Sequence, residues 1–426
     1  MGRKRKHISI GSVIMLLFAA AVLAITAAVI IRIRGGQDVL TLDAERLTST
    51  ISALLSSEGA EQTALPSANV IIATAQPAEG GQQQPMALPT AEAVTRGAAD
   101  TVTAPPQEWR SVTLSIGGLF APDARLHSGT LNKDTGAYQP QMMMEGISAA
   151  VHADVNIALL NDASAASLTE GWYGETLHSV GFDWAVPMAE RSVADADNAL
   201  MKALGENALA ASGVGAQGYS MHTVNGITIA VMTFSESAST QRSGGWIPAY
   251  NAAAAEALIA DARSRGANVV LVCMNWRAGT ATEQTRAQRE TAQALCEFGA
   301  DILIGMKRNV VWPVEYLYSQ SGHSMLTAWS LGTLLSSSRE DRAAVSGLLL
   351  HFQLNYDRAS GQLLFNRIEY TPCYIWGQDE RGVYRYRLVQ SALPDPEGMN
   401  TNQSEYKARS LKLIQDTMNK GVAQQR

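Results

Sequence analysis

Residues 252–305 read AAAAEALIADARSRGANVVLVCMNWRAGTATEQTRAQRETAQALCEFGADILIG. One pattern occurs twice in this stretch: a helix-forming run, a glycine, then a short apolar run. Residues 252–265 predict a helix that stops at Gly266, and 269–273 (Val-Val-Leu-Val-Cys) predict a strand. Residues 282–298 predict a second helix that stops at Gly299, and 302–305 predict a second strand. Glycine just past a helix end takes the left-handed conformation that a C-cap needs. Helices and strands in alternation point to an α/β domain.

Outward from this stretch, the flanks extend the same reading. Residues 112–116 (Val-Thr-Leu-Ser-Ile) predict a strand, with Gly117-Gly118 as the turn after it. Residues 155–160 form another apolar run, and 227–234 predict a strand entered through the hairpin turn Asn225-Gly226. Downstream, 347–356 and 363–370 predict a strand pair across a turn holding Asp357 and Gly361. The domain is placed at 109–385, with mixed sheets flanked by helices. A tail at 386–426 carries a helix over 404–420, with Leu411, Ile414 and Met418 on one face and Gly421 as its stop.

The N-terminal quarter is of another kind. Residues 8–31 are apolar and uncharged, long enough to cross a hydrocarbon core of roughly 30 Å as a helix. Arg3, Lys4, Arg5 and Lys6 precede the run, and Arg32 and Arg34 follow it. The heavier basic flank comes first, which predicts a short cytoplasmic tail at 1–7 and a single-pass signal anchor at 8–31. The main domain is then expected outside the cytoplasm. A cleaved signal peptide is the alternative, although its apolar core spans only about 7–15 residues. Leu40, Leu47, Ile51 and Leu54 suggest an amphipathic juxtamembrane helix over 38–57. Residues 58–108, rich in Ala, Gln, Pro, Thr and Gly, have the composition of a disordered tether.

Across 426 residues, 33 Lys+Arg stand against 39 Asp+Glu, a net charge of −6. With no basic stripe beyond the extreme N-terminus, nucleic acid is not expected as a partner. Cys273, Cys296 and Cys373 are far apart and odd in number, which argues against a disulfide framework and a cysteine-type zinc site. The runs around Cys273 and Cys296 predict buried thiols.

Six places in order resemble the CapA (poly-γ-glutamate capsule biosynthesis) family. They are Gly117 after the first strand, Asp154 with the run to Asn161, and Gly181-Phe182-Asp183. Gly213-Val214-Gly215 with 225–230 comes next, then 299–305 with Pro313-Val314-Glu315-Tyr316, and Ser330-Leu331-Gly332. The resemblance implies a layered sandwich like that of the calcineurin-type metallophosphoesterases, here preceded by one transmembrane helix. It also implies where metal ligands would lie. A two-metal phosphoesterase clamps the attacking and leaving oxygens between ions roughly 3.5–4 Å apart, held by carboxylates and imidazoles.

At those places this chain has other residues. The first-strand Asp is Gly118, the Glu of Asn-Leu-Glu falls at Asn161 (or Asp162), and the Asn-Asn-His positions are Ala189, Glu190 and Arg191. The His of His-Trp-Gly is Asn275, beside Trp276 and Arg277. The His-His-Pro-His loop is Met306, Lys307, Arg308 and Asn309, and the Asn after Ser-Leu-Gly is Thr333. The chain's histidines (His7, His127, His152, His178, His222, His323 and His351) fall at none of these positions, and read as surface or capping residues. No Gly-x-Ser-x-Gly elbow or P-loop is present. Glu236 and Asp183, at strand ends, are candidate acids, although a lone carboxylate there more often caps or pairs.

These substitutions predict a non-catalytic, membrane-anchored binding or scaffolding protein linked to capsule or surface-polymer biosynthesis, without a metal or other cofactor. The alternative is an active metal-dependent phosphoesterase-type or polymer-processing enzyme with ligands elsewhere. Arg191, Arg277, Lys307 and Arg308, with the amides of Asn275 and Asn309, form a candidate pocket for an anionic surface polymer or its precursor. Capsule-synthesis proteins are the expected protein partners. The bland alternative for these cations is a set of surface salt bridges.

Overall fold

The computed structural model describes residues 108–160, 172–188, 209–213, 217–236, 247–276, 283–306, 310–338 and 346–425. The apolar run at 8–31, the helix at 38–57 and the tether up to 107 lie outside these residues. Among the described residues no helix is long and apolar enough to cross a membrane.

The first strand overrides its own turn signal. β1 (Trp109–Ala121) runs straight through Gly117-Gly118. The two glycines accommodate a register shift against the neighbouring strand and serve as a bulge. After β1 come a one-turn helix α1 (Ala124–Ser128) and two 3-10 turns (Pro140–Met143 and Ser148–Ala150). Next are β2 (Val155–Leu160), α2 (Trp172–Val180), β3 (Trp184–Pro187) and β4 (Ala210–Ala211). The hairpin β5 (Tyr219–Val224) and β6 (Ile227–Ser235) turns at Asn225 and Gly226, both with positive φ, as predicted.

Residues 252–306 fold as α3 (Ala252–Ser264), β7 (Val269–Asn275), α4 (Arg286–Glu297) and β8 (Ile302–Met306). α4 starts later than 282 because Thr285 and Gln288 form a reciprocal capping box that sets its first turn. The chain continues through β9 (Val311–Tyr318), β10 (Ser324–Leu331), β11 (Thr333–Ser336), β12 (Ser346–Asp357), β13 (Leu363–Glu380) and β14 (Val383–Gln390). It ends with α5 (Thr401–Met418) and β15 (Gln424–Gln425).

Two sheets result. The first follows β14-β13-β12-β1-β2-β3-β4, with β11 on β1 and β15 on β13. The second follows β5-β6-β7-β8-β10-β9. β6, β7, β8 and β10 are mutually parallel, as are β1, β2, β3 and β4. Alternate residues of β7 explain the layers. Val269, Leu271 and Cys273 face the first sheet, in a core with Leu114, Ile116, Ile157 and Leu350. Val270, Val272 and Met274 face Ile259 of α3 and Leu295 of α4. On the far face of the first sheet, Phe120, Phe182 and Leu349 pack against Tyr173 and Leu177 of α2. The architecture is helix, sheet, sheet, helix. A strand buried on both faces reads as an unbroken apolar run, which is why 269–273 lacks alternation.

The chain passes from one sheet to the other at a single residue. β10 ends at Leu331 in the second sheet and β11 starts at Thr333 in the first. Gly332 between them has φ +70°, and a Cβ there would lie 2.8 Å from Val311 Cγ2 and 2.9 Å from the Ser346 carbonyl oxygen. Ser-Leu-Gly is therefore a crossover in this chain.

The tail expected at 386–426 is part of the same body. β14 straddles 385/386 and pairs with β13 along its length. α5, capped by Asn400 and Gln403, places Ile414 and Met418 in the core between the sheets. Leu411 is only partly buried, because the packed face turns through Lys407, Ser410, Ile414 and Met418.

His222 of β5 is half-buried where the edges of the two sheets meet. Its Nε2 lies 3.0 Å from Ser212 Oγ and 3.2 Å from Ser220 Oγ, with the Trp184 ring at 4.4 Å. Burial lowers its pKa below the usual histidine value. The unfolded chain, with a histidine pKa of about 6.5, then binds the proton more readily than the folded one. Stability is expected to be full above about pH 6.5 and to fall as the pH drops below it. Urea unfolding across this pH range checks the slope, which His222→Gln should flatten.

Candidate functional site

The parallel strands of both sheets end at one rim, and hydrogen bonds join these ends. Asn275, the last residue of β7, donates its side-chain amide to the carbonyl of Met188, just past β3, at 3.1 Å. The Glu236 N–H donates to the Asn275 carbonyl at 2.9 Å, and the Trp276 N–H donates to the Met306 carbonyl at 2.9 Å. The Trp276 indole donates to the Trp329 carbonyl at 3.0 Å. Asn275 is 4% exposed. It is an inter-sheet tie, whereas the sequence reading placed its amide on an anion.

Gly118, Met306 and Thr333, three of the positions implied to carry ligands, lie in buried strand backbone. A Cβ at Gly118 would sit 2.6 Å from the Leu331 carbonyl oxygen and 2.8 Å from that of Gly332. No side chain fits there without moving the sheet crossover. Met306 and Thr333 are 6% and 1% exposed. Asn161, Ala189, Glu190, Arg191, Arg277, Lys307, Arg308 and Asn309 lie outside the described residues. In sequence they follow β2, β3, β7 and β8 directly. Among the described residues, no group of three His, Cys, Asp or Glu side chains is placed to hold a metal ion.

The aspartates that carried the resemblance are at the opposite, N-terminal ends of their strands, and all do the same work. Asp154, before β2, accepts the Thr113 N–H of β1 at 2.8 Å and its hydroxyl at 2.7 Å. The Thr113 N–H, and then its hydroxyl, hold the Asp154 carboxyl below the usual range. Asp183, before β3, accepts the Asn156 N–H of β2 at 2.8 Å. Asp301, before β8, accepts the Val270 N–H of β7 at 2.7 Å. Asn268, before β7, accepts the Thr228 N–H of β6 at 2.8 Å. In each case a side chain ahead of one strand satisfies the first free N–H of its parallel neighbour, fixing their register. Asp183 is thereby removed from the candidate acids. Glu236 accepts from Gln288 Nε2 at 3.0 Å and braces the start of α4. Glu315 accepts the Trp329 indole N–H at 2.6 Å.

The histidines divide differently from the sequence reading. His351 is 5% exposed rather than at the surface, with Nε2 2.9 Å from Thr371 Oγ1. His127 stacks between Tyr138 and Trp172, at 4.2 and 4.7 Å. Cys273, Cys296 and Cys373 are buried and unpaired with one another. Burial pushes the Cys296 thiol up to about 11 and the other two higher still, so none is a ready thiolate.

With the two-sheet sandwich, its aspartate clamps and its Ser-Leu-Gly crossover in place, the family comparison is direct. Residues 178–338 match the family model described as bacterial capsule synthesis protein PGA_cap. Over this part the chain is similar to the PGA_cap family. The PGA_cap match begins inside α2 and ends just past β11, so it takes in the whole second sheet and the crossover. No curated protein matches the chain. Among solved structures, the crystal structure of TT1561 of Thermus thermophilus aligns with 60% of this chain and 98% of its own, at 8% identity and a TM-score of 0.34.

Proposed function

We propose that this protein is a membrane-tethered, extracytoplasmic PGA_cap protein that binds or scaffolds in capsule or surface-polymer assembly and does not hydrolyse phosphoesters. The observation that carries the proposal is Gly118. At the place where the family resemblance implies a metal-ligating aspartate, the backbone of Leu331 and Gly332 occupies the space of any side chain. Asn275, Met306 and Thr333 add one amide tied to Met188, one thioether and one buried hydroxyl. Neutral groups of this kind bind hard divalent cations poorly beside carboxylates and imidazoles. Arg191, Arg277, Lys307 and Arg308 follow strand ends of the same rim in sequence, and cations there suit an anionic polymer or precursor. The apolar run at 8–31, with its basic flank, supplies the anchor.

Metal content and hydrolysis test the proposal together. The purified full chain is expected to carry no stoichiometric Mn, Fe or Zn, and to leave bis-p-nitrophenyl phosphate intact when those metals are added. Stoichiometric metal with metal-dependent hydrolysis would establish the active phosphoesterase instead. Protease added to intact spheroplasts should cut within 58–107 and release the domain. Protection of the domain would overturn the orientation.

A further inference from the structure

A cleft of about 560 Å³ opens at the β14 edge of the first sheet, where the turn joining β13 to β14 meets α1 and the loop after it. Its lining includes Arg125, Leu131, Lys133, Gly382, Tyr384 and Tyr386. That volume falls within the range of small-molecule sites, roughly 300–1,000 Å³. The two walls are distant in sequence and tied to each other. Arg385 of β14 donates Nη1 to the Gly129 carbonyl at 3.3 Å and Nη2 to the Leu131 carbonyl at 3.2 Å. A Cβ at Gly129 would lie 2.6 Å from the Tyr384 carbonyl oxygen, so the two backbones are in contact. The cleft is therefore formed before any ligand arrives.

Its charge is unbalanced. Arg125 and Lys133 line it, and no Asp or Glu does. The carboxylates carried by its two walls are engaged elsewhere. Asp123 caps α1, Asp134 faces Arg381 at 3.5 Å, and Asp379 accepts the Gly382 N–H at 2.8 Å. Glu380 pairs with Arg385 and Arg387, at 2.7 and 3.0 Å. Arg125 is exposed, and its guanidinium makes no hydrogen bond or ion pair with any described residue. Lys133 Nζ lies 3.2 Å from the position a Cβ would take on Gly382, which places the ammonium group at the cleft wall. It donates to the Arg381 carbonyl at 2.6 Å, which uses one of its three hydrogens. The Tyr384 ring is 45% exposed yet held in place. It rests against Gly377, where a Cβ would lie 2.6 Å from Tyr384 Cε1, and meets the Tyr386 ring in a T-shaped contact at 5.0 Å.

We infer that this cleft binds an acidic sugar, a hexuronate unit of a polysaccharide, with its carboxylate on Arg125 and Lys133 and its C–H face on the Tyr384 ring. The planar guanidinium grips a carboxylate through two parallel hydrogen bonds, and the ammonium group adds a point charge. One face of a pyranose presents C–H groups of partial positive charge, which suit the negative face of an aromatic ring. A hexuronate carries the acid and that face together. A neutral sugar lacks the acid, and a polyglutamate chain lacks the face. The site is separate from the cations proposed for the rim and does not depend on them.

Isothermal titration of the purified full chain with trigalacturonate tests this, beside galactotriose, triglutamate and adenosine monophosphate. Trigalacturonate should bind saturably, at least tenfold more tightly than each of the other three, and more weakly as salt is added. Arg125→Gln should weaken it at least tenfold at an unchanged melting temperature, because the guanidinium has no partner in the fold. Tyr384→Ala should weaken it at least fivefold, whereas Tyr384→Phe, which keeps the ring, should bind like wild type. Lys307→Ala should leave it unchanged. Absence of saturable trigalacturonate binding, any of the other three binding as tightly, or wild-type binding in Arg125→Gln would each overturn the inference. Loss of binding in Lys307→Ala alone would assign the ligand to the rim, overturning this inference while supporting the reading of the rim.

Discussion

Gly118→Asp is expected to unfold much of the domain without creating a metal site. The new Cβ would press on the Leu331 and Gly332 carbonyl oxygens, at 2.6 and 2.8 Å, where no flexible side chain can give way. Overpacking a buried strand costs about 1–3 kcal/mol. A carboxylate facing two carbonyl oxygens adds an unpaired buried charge, which brings the expected loss to about 4 kcal/mol or more. That is a large part of the roughly 5–15 kcal/mol that holds a typical domain together. Urea unfolding followed by tryptophan fluorescence measures it, with Gly118→Ala as the steric control at about 2 kcal/mol. Wild-type stability in Gly118→Asp, accompanied by stoichiometric Mn or Zn, would show that the crossover is not locked as described.

Asp301→Ala is expected to cost about 2–4 kcal/mol without touching the rim. Asp301 Oδ2 receives Arg263 Nη2 at 2.5 Å and the Val270 N–H at 2.7 Å, with a side chain only 5% exposed. Burial pushes its carboxyl up, while Arg263 and the Val270 N–H pull it the other way. Removing it strands a backbone donor at the start of β7. It also takes the counter-charge from the Arg263 guanidinium, which keeps its bonds to the Ala267, Asn268 and Gly299 carbonyls and is 32% exposed, so part of the loss is recovered. Asp301→Asn should cost less, because an amide oxygen can still accept from Val270. A chemical denaturation series of wild type, Asn and Ala variants orders the three. Equal stability of all three would remove the clamp from the account of the fold.

The order of elements was legible in the chain because it rests on local chemistry. Gly266 and Gly299 end helices through their own conformational freedom, and Asn225-Gly226 turns a hairpin by the same means. The doubly buried strands of the second sheet announce themselves as unbroken apolar runs. The family resemblance was legible for a related reason. Its aspartates, Asp154, Asp183 and Asp301, each stand just before a strand and clamp the parallel strand that precedes it, a role tied to position along the chain.

What each residue is for was settled only by non-local packing. Gly117-Gly118 carries a turn signature, yet pairing with β2, β11 and β12 keeps β1 extended through it. Asn275 has the chemistry to bind an anion, but Met188, 87 residues away in sequence, takes its amide. The helix of the C-terminal tail looked peripheral until Ile414 and Met418 met the core between the sheets. The bulge at Arg367, where β13 slips against β12, has no sequence signal at all, since any residue in β13 can be displaced in this way. Backbone punctuation is written in adjacent residues and reads directly. Occlusion, register and the partner of a buried polar group depend on chain segments brought together from far apart, so they exist only in the folded molecule.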